Sequence, residues 1–162
     1  MKYLVLLPIA LALLVLPTVH SDTVEVNVTV QGYITATFQY TAVDFGTLTA
    51  GTTDEPAPNQ ANGIYNVTID ANSEFKVEAS GTDFSDGAGH TFAISNLKMD
   101  TDTSAANLDL ANAKTLSTTS QVIDTNIPYT TTVHYHGYWL SIPSGQYQAT
   151  YSSTVTVTYS LV

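Results

Sequence analysis

Residues 23–31 alternate without a break, Val24, Val26, Val28 and Val30 being separated by Glu25, Asn27 and Thr29. A period of two sets the four valines on one face of an extended strand, whereas a helix would scatter them around its axis. The same period returns at Ile34, Ala36, Phe38 and Tyr40, at Tyr65, Val67 and Ile69, at Phe75, Val77 and Ala79, and from Tyr151 to Leu161. Repeated short strands with frequent turn signals, and no helical stretches to cover a parallel sheet, predict an all-β chain. The expected architecture is an antiparallel immunoglobulin-like or jelly-roll-like β-sandwich with an N-terminal donor strand.

The valine stretch follows a leader. Residues 1–21 carry Lys2 as their only charge, an apolar run over residues 3–16, Pro17, and then Val19-His20-Ser21. That order matches the n-region, h-region and cleavage site of a secretory signal, with cleavage expected after Ser21. The uncharged stretch, residues 3–21, contains Pro8 and Pro17, which argues against a retained membrane helix. Three segments are therefore expected: a signal peptide at 1–21, a donor strand at 22–32 and a β-sandwich domain at 33–162.

Charge and cysteine content narrow the function. The chain has no Cys, so disulfide frameworks and thiolate chemistry are excluded. Four lysines, no arginine and fourteen acidic residues give a formal charge of −10, and loss of Lys2 with the signal makes it more negative. Nucleic acid and anionic membranes are poor partners for such a surface. A secreted, cell-surface location is expected, with no stable membrane anchor after signal cleavage and no sorting or lipid motif before Val162.

Along the domain, residues 43–52 predict a short strand closed by a glycine turn, and residues 54–63, with Pro56 and Pro58, a loop. Residues 65–79 predict a hairpin turning at Asn72-Ser73, and residues 81–89 an acidic, glycine-rich loop. Residues 105–116 fit either a short helix or a long polar loop. Residues 130–142 and 147–161 predict two long strands around Pro143-Ser144-Gly145.

Val43-Asp44-Phe45-Gly46-Thr47-Leu48, together with Ile142-Pro143-Ser144-Gly145-Gln146-Tyr147 and the Val/Thr strand after it, resembles secreted fimbrial and spore-coat-U-type subunits. It is also similar to WxL-type surface domains and to the β-sandwich subunits of archaeal bundling pili and threads. The resemblance implies an extracellular filament in which the N-terminal strand of one subunit completes the sheet of the next. Here the corresponding stretch is 23–31, and the implied partner is the chain itself, as a homopolymer. The WxL resemblance implies cell-wall binding, with Tyr138-Trp139-Leu140 holding the only Trp.

Other chemistry is sparse. His134 and His136 share one face of a strand and offer half of a copper or zinc site, with His90 available, against a reading as paired surface or aromatic-belt side chains. Asp83 and Asp86, with Asp100 and Asp102, supply the hard oxygens that Ca²⁺ prefers, against a solvated acidic loop. Asn27-Val28-Thr29 and Asn66-Val67-Thr68 are glycosylation sequons, each Asn facing away from its apolar stripe. No nucleophile has an identifiable base and orienting group, so no enzymatic activity is expected. The leading expectation is a structural filament subunit that needs no cofactor. The alternatives are a monomeric adhesive or binding module and a metal-binding surface domain.

Overall fold

The structure is a computed structural model that describes residues 25–129 and 131–162. The expected signal peptide, its cleavage point and Val24 of the valine stripe lie outside the described residues. The described chain divides after Val30, into residues 25–30 and a compact unit, Gln31–Val162.

The compact unit is an all-β antiparallel sandwich. Its strands are β1 (Ile34–Phe38), β2 (Glu55–Pro56), β3 (Asn66–Ala71), β4 (Phe75–Gly81), β5 (Phe84–Ser85) and β6 (Thr91–Phe92), then β7 (Leu97–Asp102), β8 (Lys114–Thr115), β9 (Gln121–Ile127), β10 (Thr132–Leu140) and β11 (Val155–Leu161). The larger sheet has the order β1-β3-β10-β7-β8, with β2 also on β10, and the smaller has the order β11-β4-β9. A separate small ribbon joins β5 to β6.

The alternation in sequence becomes burial. Val67, Ile69, Phe75 and Val77 are all 0% exposed, with Ala71 and Ala79 beside them. From the large sheet Met99, Tyr138 and Leu140 join this core, and from the small sheet Ile123 and Ile127.

The connections between strands differ from the expected ones. Residues 65–79 are not a hairpin, because β3 pairs with β1 and β10 whereas β4 pairs with β11 and β9. The chain arches from one sheet to the other at 72–74. The arch brings Val67 and Ile69 to face Phe75 and Val77 across the core, where a hairpin would set them side by side. Asn72 fastens the arch, its Oδ1 accepting from the Tyr33 N–H at 2.7 Å and its Nδ2 donating to the Gln31 carbonyl at 3.0 Å. β10 and β11 likewise lie in different sheets.

Residues 43–52 form no strand. The Asp44 carboxylate accepts the Gly46 N–H at 2.8 Å, and Gly46 has a φ of 67°, so a side-chain-closed turn replaces a sheet ladder. The last strand begins at Val155 rather than Tyr147. Ahead of it, Ser153 Oγ donates to the Thr82 carbonyl at 2.6 Å and the Thr154 N–H to Thr82 Oγ1 at 3.0 Å, hydroxyl contacts that break a regular ladder. In the 105–116 region the outcome is mostly loop, with a single 3₁₀ turn at Ala105–Asn107 and the short β8.

Candidate functional site

Valine side chains in a folded protein are normally covered, so the N-terminal segment stands out. Val26, Val28 and Val30 are 85, 85 and 77% exposed. Residues 25–33 belong to no strand, and Asn27 Nδ2 reaches only to Glu25 Oε1, at 3.3 Å. Three apolar side chains at strand spacing are thus left in water.

The compact unit has a strand edge of its own. β11 pairs along one side with β4, from Val155 opposite Gly81 to Leu161 opposite Phe75. Among the described residues no strand pairs with its other side. Val155, Val157, Tyr159 and Leu161 alternate along β11, half-buried and packed against the core. β1 is the edge strand of the larger sheet and comes close to β11. Unpaired N–H and C=O groups beside a half-covered apolar stripe form a template for one more strand.

The histidines take a different place from either reading of the sequence. His134 and His136 do share a face of β10, but it is the inner face, and they are 1 and 0% exposed. His136 hydrogen-bonds through Nδ1 to the Tyr40 hydroxyl and through Nε2 to the Tyr159 hydroxyl at 2.6 Å. Tyr40 continues the chain of contacts to the Tyr138 hydroxyl at 2.7 Å. Burial pushes the His136 pKa down to about 3, His134 adding to the effect, so the ring is neutral at pH 7. Burial also pushes Tyr40 up to about 12 and raises Tyr138 and Tyr159. The result is a neutral strut joining β10 of one sheet to β11 of the other. The tyrosine partners were not found by sequence reasoning, although Tyr138 shares the parity of His134 and His136.

His90 lies apart from this pair in its partners, held by the Asp86 carboxylate at 2.5 Å and stacked on Tyr147 with ring centroids 4.1 Å apart. Asp86 also accepts the Ala88 and His90 N–H groups, at 2.8 and 3.1 Å, and the His90 hydrogen bond is the largest cause that lowers its pKa. Asp83 accepts the Ile94 N–H at 2.9 Å, and Asp100 the Asp109 N–H at 3.0 Å. These aspartates thus build loops. Among the described residues no three His, Cys, Asp or Glu side chains come close enough to hold a metal ion. Of the two sequons, Asn27 is exposed, while Asn66 is half-buried on the outer face of β3 with Nδ2 donating to the Gly63 carbonyl at 2.8 Å.

Comparison with protein-family models and with curated proteins returns no match. Among solved structures, a family 123 glycoside hydrolase from Clostridium perfringens superposes over 80% of this chain with a TM-score of 0.38 at 14% identity. The match covers 25% of that chain, so the present chain spans about a quarter of its length. A superposition at this level carries no inference about function.

Proposed function

We propose that the protein is a structural subunit of a secreted, extracellular filament, polymerising when its N-terminal valine segment pairs with β11 of the neighbouring subunit. The observation that carries the reading is the exposure of Val26, Val28 and Val30 at 77–85% on a segment that has no strand partner among the described residues. The open side of β11 supports it, since a strand added there would extend the small sheet from three strands to four. Nine residues, 23–31, span roughly 30 Å at about 3.3 Å per residue, enough to run the length of β11.

The energetics favour addition only when the whole strand docks. Burying four valines is worth about 6–12 kcal/mol, while association costs about 4–15 kcal/mol. The backbone ladder and further contacts between subunits supply the surplus. In this reading the role is architectural rather than catalytic, and the aspartates and sequons are accessory.

A truncation lacking residues 22–31 tests the proposal, with a synthetic peptide of residues 23–31 added back. The truncated protein is expected not to polymerise, and the peptide to bind it stoichiometrically and raise its melting temperature while leaving it monomeric. Binding in which Val26→Asp and Val28→Asp peptides perform as well as the native one contradicts the proposal. A native protein that stays monomeric, with the peptide acting on the truncated form alone, assigns the segment to its own domain and the protein to a monomeric adhesive module.

A further inference from the structure

The point at which the N-terminal segment joins the compact unit limits the direction in which it can run. Gly32 lies against the last residue of β11, so close that a Cβ added to it would come within 2.8 Å of Leu161 Cδ1. Asn72 holds the chain there through the Tyr33 N–H and the Gln31 carbonyl. The segment therefore leaves its own subunit at the Leu161 end of β11. Laid along that same β11, it would have to run back toward Val155, its residue numbers falling from 32 as those of the strand fall from 161. Pairing within one chain is thus parallel.

Between two chains, a parallel strand meets an obstacle. The docked chain's Gly32 would follow position 161 of the acceptor, where the acceptor's own Gly32 already lies against Leu161. An antiparallel strand brings only its N-terminal end to that place, and the compact unit to which it belongs falls beyond Val155. The antiparallel ladder is also slightly the more stable per residue.

Length and parity suit this direction. β11 has seven residues, as many as the stretch from Val24 to Val30. With Val30 set opposite Val155, Val28 falls opposite Val157, Val26 opposite Tyr159 and Val24 opposite Leu161. Directly opposed residues share a face, so all four valines meet the half-buried stripe of β11, and a slip of one residue would turn every valine away from it. β9, at the other edge of the small sheet, is a poorer template. Its register against β4 shifts twice and Asn126 has a φ of 55°, whereas β11 pairs with β4 without a break from Val155 to Leu161.

We propose that residues 24–30 of one subunit dock antiparallel on β11 of the next in this register, whereas the same residues reach their own β11 only in parallel. Strand direction then separates a chain of subunits from a self-closed monomer. The proposal rests on the filament reading above. It sets successive compact units in line, each segment leaving at the end of β11 opposite to the one where the incoming subunit sits.

Engineered disulfides read the direction, since the chain has no Cys of its own. A disulfide needs Cα atoms about 4.4–6.8 Å apart, while positions 156 and 160 lie roughly 13 Å apart along an extended strand. Glu25→Cys with Ser160→Cys is therefore specific for the antiparallel register, and Glu25→Cys with Thr156→Cys for the parallel one. Thr29→Cys with Thr156→Cys reads the antiparallel register from the other end. Oxidised mature protein carrying either antiparallel pair is expected to run as a ladder of multimers on a non-reducing gel, collapsing to monomer with reductant. The parallel pair should give at least fivefold less multimer, and Glu25→Cys alone nothing beyond a dimer. A stronger ladder from the parallel pair overturns the direction but keeps the assembly on β11. Filaments by negative-stain microscopy without cross-links in either antiparallel pair overturn docking on β11 and leave the filament itself standing. A bridge within the monomer from the parallel pair, without filaments, overturns the filament reading as well.

Discussion

At the scale of single residues, the stability of the sandwich is tied to a histidine held neutral inside it. His136 titrates near pH 3 in the folded protein against an ordinary value of 6.5, so the unfolded chain binds more protons between these limits. Its contribution is therefore complete above about pH 6.5 and is lost as pH falls toward 3, at up to roughly 1.4 kcal/mol per pH unit. Urea unfolding between pH 7 and pH 4.5 should show this slope, and His136→Gln should flatten it. An unaltered slope in the variant places the pH dependence elsewhere. Tyr40→Phe keeps the ring and removes the hydroxyl that bridges His136 and Tyr138, leaving both short of a partner. A loss of about 1–3 kcal/mol is expected in the same assay.

At the scale of elements, Asn72 distinguishes an arch from a hairpin. A hairpin turn would leave its side chain to solvent, whereas here it bonds both the Tyr33 N–H and the Gln31 carbonyl. Asn72→Ala should therefore cost about 1–2 kcal/mol by urea unfolding, and a variant as stable as the parent argues against the clamp. The inner faces of β3 and β4 were legible from the alternation of Val67 and Ile69 and of Phe75, Val77 and Ala79. Their pairing was not, because hairpin and arch bury the same parity and differ only in which strands come from elsewhere in the chain. The shared face of His134 and His136 was legible in the same way, but nothing in a period of two says whether that face looks into the core or out to water. At residues 43–52, a single carboxylate-to-backbone bond from Asp44 to Gly46 outweighed the apolar residues that had suggested a strand.

At the scale of the whole molecule, the candidate assembly site was half legible. The valine stripe declares itself in the sequence, but the open side of β11 does not, since edge status depends on the order of strands in a finished sheet. The two together give the proposed filament its polarity, the segment of one subunit meeting the edge of the next, a heterologous contact that extends as an open chain when the rotation between subunits does not close. Val26→Asp combined with Val28→Asp would bring charge into the apolar stripe beside β11 and should abolish assembly while leaving the compact unit folded by circular dichroism. Filaments of normal length from that double variant would remove the valines from the mechanism.

The most direct test of donor-strand assembly is the mass of the native mature protein by light scattering, measured over a dilution series beside a form lacking residues 22–31 and checked by negative-stain microscopy. The account predicts concentration-dependent polymers seen as thin filaments for the full mature chain, and none for the truncated form. A native protein that remains a folded monomer throughout the series would contradict it.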